Sequence, residues 1–372
     1  MQIASIEAWA CEVPLAEPFP YGSSLISARK YTAIRVTTRS GIAGEGLTLS
    51  RGAPIDVVIL EMLAPLLIGL DAFSVTARMD DLRNGTLAFD QEGVVTRGKS
   101  VVEFALLDIV AQACGVPLWR LMGGDYRRLP VLLVEGYSLD KESETDFVRR
   151  LCQRVDEGFS LLKLEGGDSR GFLRLEELRR RIPDEIGIVL DVGWSWHTLR
   201  EARNNMERLG ALHLSWVEDP LPKGRVRDLV ELRQTSSVPI GAGDELSSIA
   251  ATEQLISAHA VDVVRLDACA VGGVSEATSA VRLARREGLR YSFHGTGDIN
   301  EQLAFGSPGG DHVEIFPKDR PFDRAHELMR SPTVDRIVDG SLTPPSEPGA
   351  GVRLDLDAVE RYADRYGKVV AA

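Results

Sequence analysis

No apolar run in this 372-residue chain is long enough to cross a membrane. Met1-Gln-Ile-Ala-Ser-Ile-Glu7 has neither a basic stretch nor a long apolar core, so no secretory signal is read there. Cysteine is scarce. Cys11, Cys114, Cys152 and Cys269 show no C-x-x-C pair and no metal-binding spacing, which points to buried thiols in a reducing cytoplasm. Positive charge is in deficit: 43 Lys and Arg stand against 55 Asp and Glu, a net charge of −12. That balance argues against nucleic acid or an anionic membrane as a partner.

At 44% hydrophobic and 26% charged, the chain suits a globular protein of two domains. Residues 1–50 read as antiparallel strands, with Tyr31–Arg39 alternating and β-branched before a Ser40-Gly41 turn. Pro14–Ser24 reads as a Pro- and Gly-rich loop carrying Phe19 and Tyr21, placed to cover a ligand as a lid. Residues 54–123 read as helices. The clearest is Ser100–Cys114, with Ser100 as N-cap, Glu103 completing a capping box and Gly115 as the stop. Gly85–Gly98 reads as a polar loop. Strands followed by helices mark an α+β unit, taken as 1–124.

From Leu129 the pattern becomes strand–helix repetition. Apolar strands end near Glu135, Lys163, Asp191, Glu218, Ala242, Asp267, His294 and Glu314. The period and the eight strands fit a (β/α) barrel over 125–343. An open doubly wound sheet would carry a glycine-rich phosphate turn after its first strand, and none follows Leu129–Glu135. The tail, 344–372, is punctuated by Pro and Gly, is expected to end in a helix over Asp357–Tyr366, and to return to the first domain.

Three strand ends carry acids: Asp191, Glu218 in Trp216-Val-Glu-Asp-Pro220, and Asp244 or its neighbour Glu245 after Pro239-Ile-Gly-Ala-Gly243. Side by side, these carboxylates repel unless a cation lies between them, and hard oxygen donors favour Mg2+. Barrel chemistry sits at the carboxyl ends of strands, where all of them fall.

These motifs, with Ala105-Leu-Leu-Asp108 leading to Gly115-Val-Pro-Leu118 and Gly123-Gly124, Asp267–Val274, His294-Gly295, Glu314 and Pro348-Gly-Ala-Gly351, resemble the mandelate racemase/muconate lactonizing enzyme branch of the enolase superfamily across nearly the whole chain. The resemblance implies a modified (β/α)7β barrel with an α+β capping domain, Mg2+, a small carboxylate substrate and a homo-oligomer. It implies His294 as base with Asp267 as its partner, Lys163 near the substrate carboxylate, and Glu314 as the eighth-strand acid. Trp194 is a candidate to line the pocket. His197, His213, His259, His312 and His326 read as structural.

The departures bear on the reaction. The second strand carries Lys163-Leu-Glu165 where the family pattern is K-x-K, so Glu165 stands at the position of a second base. The sixth strand has Arg265 and Asp267 where a muconate-type enzyme has a lysine. With one clear base, the expected reaction is Mg2+-dependent dehydration of a sugar acid. A racemase or epimerase is the alternative, and a homologue that binds but does not turn over is a third.

Overall fold

The computed structural model describes residues 1–21, 24–89, 91–135, 142–295, 298–320 and 322–371. A four-stranded antiparallel sheet forms the cap, in the order β13 (Ala363–Val370), β1 (Ile3–Tyr21), β2 (Ser24–Thr38), β3 (Ala43–Leu49). Its alternation sorts side chains to two faces. Ile6, Ala8, Ile34 and Val36 pack on the helix Gly93–Cys114 through Val101, Val102, Ala105 and Ile109. Trp9, Cys11, Val13, Tyr31 and Ala33 join the core shared with the barrel. Each such aliphatic side chain contributes about 1.5–3 kcal/mol on burial. Helix and sheet approach closely because Gly44 has no side chain: a Cβ there would run into the Ala105 carbonyl oxygen.

Eight parallel strands build the barrel: β4 (Leu129–Val134), β5 (Leu161–Glu165), β6 (Gly187–Asp191), β7 (Trp216–Glu218), β8 (Ile240–Ala242), β9 (Val263–Leu266), β10 (Arg290–Phe293) and β11 (Val313–Ile315). Their pairing order is β10-β9-β8-β7-β6-β5-β4-β11, with β12 (Ser341–Leu342) added antiparallel to β4. Across the seam between β10 and β11, Ser292 Oγ bonds His312 Nε2 at 2.7 Å. The modified barrel and its antiparallel cap are as expected.

Four local expectations change. The helix ending at Cys114 starts at Gly93, so Ser100 lies inside it and bonds the Thr96 carbonyl. Glu103 closes no capping box; it accepts from Ser275 N–H at 3.2 Å, tying cap to barrel. Residues 14–21 continue β1 as a ribbon with β2, with a register shift between Pro14 and Phe19. The final helix stops at Tyr362 and Ala363–Val370 is a strand, because the open edge of β1 offers it a ladder from Ser5 to Cys11.

The signature aspartate has a physical role. Asp108, fully buried, accepts from Ala350 N–H at 2.6 Å, Glu45 N–H at 3.1 Å and Gln112 Nε2 at 2.9 Å. It pins the Pro348–Gly351 turn to the cap.

Candidate active site

The carboxyl ends of the strands bring most of the expected residues to one place. Pairing sets Glu165 opposite Asp191 and Asp191 opposite Glu218 on β5, β6 and β7. Lys163, two residues back on β5, is buried with its ammonium 2.5 Å from Glu218 Oε1, 3.2 Å from Asp191 Oδ2 and 3.4 Å from Glu314 Oε1. Glu218 also accepts from Trp216 Nε1 at 3.0 Å. Arg265, fully buried, bonds Glu314 and brings Nε within 2.9 Å of Glu218 Oε2 without hydrogen-bond alignment. Burial would raise the Glu314 carboxyl, but Arg265 and Lys163 hold it down at about 2.

His294 follows β10, and its Nδ1 faces Asp267 Oδ2 at 3.1 Å. Asp267 follows β9 and is itself held: its Oδ1 accepts from Cys269 N–H at 2.8 Å and Asn300 Nδ2 at 3.0 Å. The other ring nitrogen lies 3.6 Å from Asp244 Oδ2. Burial pulls the imidazole down, but Asp244 and the bond to Asp267 overcome it and hold it at about 9.

Acids outnumber cations here. Asp191, Glu218, Asp219, Asp244 and Glu314 face Lys163, Arg265 and His294. Burial pushes Asp191 up to about 6 against the pull of Lys163, and Glu218 and Asp244 add to the push. Asp219 is raised as well, by burial and then by Asp244, Glu218 and Asp191. Among the described residues no three acidic, histidine or cysteine side chains are already arranged as a cage, since Lys163 draws Glu218 and Asp191 while His294 faces Asp244. The donor set still fits a divalent ion. Its oxygens are hard, they come from three adjacent strand ends, and their mutual repulsion is what a cation relieves.

Glu245 is occupied elsewhere. Arg51 and Arg97 of the cap each bond one of its oxygens at 2.5 Å. Against burial, they hold its carboxyl far below the usual range. Of the two adjacent acids, Asp244 is the one that faces His294 and the carboxylate cluster.

The Glu165 side chain makes no hydrogen bond or ion pair among the described residues, and burial, Asp191 and Asp168 raise its carboxyl to about 8. Trp194, at φ +60°, lines a cavity with Asp219 and Asp244, and Lys223 Nζ sits 4.6 Å above its ring.

Phe19 does not present an open face to the mouth. Its ring is 4% exposed and meets Phe322 edge-on at 5.3 Å between centroids. Phe19→Ala is therefore expected to cost about 3–5 kcal/mol of stability, seen as a lower melting temperature. An unchanged melting temperature with altered kinetics would return Phe19 to a pure lid role. Tyr21 ends β1; its side chain lies outside the described residues.

Sequence reasoning missed Arg51 and Arg97 as partners of Glu245, and Asn300 behind Asp267. It also missed Trp216 behind Glu218, although the two-residue spacing on one strand face was a usable signal.

Residues 5–123 match the family described as mandelate racemase/muconate lactonizing enzyme, N-terminal domain, and residues 146–358 match the enolase C-terminal domain-like family. Muconate cycloisomerase 1 of Rhodococcus opacus is 25% identical over 384 residues, covering 97% of this chain and 98% of its own. Arabinonate dehydratase of Saccharolobus solfataricus is 25% identical over 342 residues, covering 89% and 90%. A solved L-talarate dehydratase of Polaromonas sp. JS666, complexed with Mg and L-glucarate, superposes with a TM-score of 0.90 at 23% identity over 100% of both chains. Curated relatives at 24–28% identity divide among cycloisomerases, sugar-acid dehydratases and racemases or epimerases. Among the described residues no helix is long and apolar enough to cross a membrane.

Proposed function

For a chain that belongs to the mandelate racemase/muconate lactonizing enzyme family of the enolase superfamily, we propose Mg2+-dependent dehydration of a sugar acid. The observation that carries this reading is the histidine–aspartate dyad at the strand ends: His294 and Asp267 stand on one side, and on β5 the second position holds Glu165 in place of an amine. Relatives that are dehydratases of arabinonate and L-talarate support it.

Asp191, Glu218 and Asp244 would hold Mg2+, which supplies charge stabilisation for the enediolate. Lys163 reaches the same end of the pocket and donates to the substrate carboxylate. Asp267 keeps the proton on Nδ1 of His294; a cation held by Asp244 would cancel the charge that keeps the imidazole up at about 9, which would leave Nε2 free to take the α-proton. The electron pair of the broken C–H bond moves onto the carboxylate as the enediolate, and it forms the C2–C3 double bond when the enediolate collapses and the C3 hydroxyl leaves. His294 returns its proton to that hydroxyl, water departs, and the enol becomes a 2-keto-3-deoxy acid. Glu165, opposite Asp191 on the neighbouring strand, orients a substrate hydroxyl.

A panel of sugar acids in D2O with Mg2+ tests this. Keto product from one of them is expected; α-deuteration with inversion and no keto product would overturn dehydration. That outcome defines a two-base epimerase, a reading favoured by the Glu165 carboxyl at about 8, a range suited to proton transfer. Glu165→Gln separates the two. Under dehydration it retains turnover, with KM raised roughly 3- to 10-fold by a weakened hydrogen bond; under epimerisation turnover vanishes.

Glu165→Gln also has a metal-free readout. The folded carboxyl stays protonated to about 8, whereas the unfolded one ionises near 4.5. The unfolded chain alone gains by ionising between those values, so Glu165 makes stability fall as pH rises through that window. The Gln variant is expected to lose this part of the decline, and identical pH profiles of melting temperature would contradict it.

A further inference from the structure

Cap arginines reach the barrel at several points, among them Arg83 on Glu276, and one, Arg29, has no anion among the described residues. Arg51 and Arg97 are both taken by Glu245. Arg29 pairs across the ribbon with Val13 and lies two residues before Tyr31. Val13 and Tyr31 both face the core shared with the barrel, so strand alternation turns Arg29 to that side. Its position along that face is fixed by two contacts to the segment that follows β11. Tyr31 Oη donates to Asp323 Oδ1 at 2.6 Å and accepts from Arg324 N–H at 2.7 Å. Phe19 packs on Phe322, and the Arg29 guanidinium lies 5.8 Å from the centre of the Phe19 ring. β11 ends beside Glu314, so this segment leaves the end of the barrel where the acids and His294 converge.

The Arg29 side chain makes no hydrogen bond or ion pair among the described residues, and its Nε is buried without an acceptor. Asp323, the acid on the facing segment, is engaged by Tyr31. A partly desolvated guanidinium fixed over a ring, with its fork of donors unspent, suits a planar carboxylate. We infer that Arg29 receives the distal carboxylate of a substrate with an acid group at each end, an aldaric acid. The inference rests on the proposed function, in which Lys163 and the Asp191, Glu218 and Asp244 strand ends take the reacting carboxylate.

The test uses the full chain with Mg2+ and matched pairs of acids that differ only at the far carbon, glucarate with gluconate and galactarate with galactonate. Binding is measured by calorimetry and turnover by keto product in D2O. An aldarate is expected to bind at least about 10-fold tighter than its aldonate, and Arg29→Gln to remove about 10- to 100-fold of that preference. Arg29→Lys is expected to restore part of it. A wild-type preference for the aldonate, or equal losses for both acids in Arg29→Gln, would overturn the inference even if dehydration is observed. An Arg29-dependent preference for aldarates without any keto product would keep the inference and sink the dehydratase reading. Because Arg29 packs on Phe19, melting temperature is followed alongside; if Arg29→Gln misfolds, the ratio of aldarate to aldonate affinity in Arg29→Lys decides alone, and an unchanged ratio refutes the site.

Discussion

Replacing His294 by asparagine is expected to lower α-proton exchange with solvent by about 10²- to 10⁴-fold. Asparagine preserves a hydrogen bond to Asp267 but offers no basic nitrogen. Mg2+ affinity by calorimetry is expected to stay within a few-fold of the parent, because the imidazole is not one of the proposed oxygen donors and faces Asp244 only at 3.6 Å. The combination matters: loss of both exchange and affinity would mean that the variant disturbs the cluster, and exchange at the parental rate would move the base to Glu165. Asp267→Asn should impair the same step, since the tautomer is then no longer held by a charge.

Glu218→Gln is expected to have the largest combined effect on stability and metal binding. Glu218 is fully buried and faces two cations, Lys163 at 2.5 Å and Arg265 at 2.9 Å. Removing its charge strands part of that positive charge in the barrel interior, and breaking a buried pair from one side costs about 3–5 kcal/mol. Mg2+ affinity should fall at least about 10-fold with the loss of one anionic donor. Asp191→Asn is the cleaner metal test. Asp191 lies at the mouth, and its Oδ1 bond from Gly193 N–H at 2.9 Å can survive the change. It should therefore lose affinity with a smaller fall in melting temperature. Parental Mg2+ binding in Asp191→Asn would remove these strand ends as the metal site.

Much of the barrel was legible because a parallel strand buried on both faces reads as a short apolar run, and the polar residue that terminates the run is carried to the carboxyl end of the barrel. That reasoning located Lys163, Asp191, Glu218, Asp267, His294 and Glu314 on their strands or at the ends. It failed where a neighbour far along the chain decides. Asp244 and Glu245 are adjacent in one turn, and only the arrival of Arg51 and Arg97 from the cap directs Glu245 away. Asp219 adopts φ +50°, a conformation that no residue pattern announces for an aspartate. The first turns of the helix Gly93–Cys114 contain Gly93, Thr96, Gly98 and Ser100, weak helix formers whose helicity comes from packing under the cap. Phe19 reads as lid or core with equal ease, and Phe322 makes it core.

The pairing of β13 with β1 joins two strands from opposite ends of the chain, Ser5 with Val370 through Cys11 with Ala363. During biosynthesis β1 emerges early, while its neighbour on that side leaves the ribosome only after the whole barrel has been made. Until then one row of backbone amides and carbonyls on β1 has no ladder partner, although β2 already covers the other. A nascent or prematurely stopped chain thus exposes a sticky edge beside a nearly complete barrel, a form open to chaperone capture or to pairing with another copy.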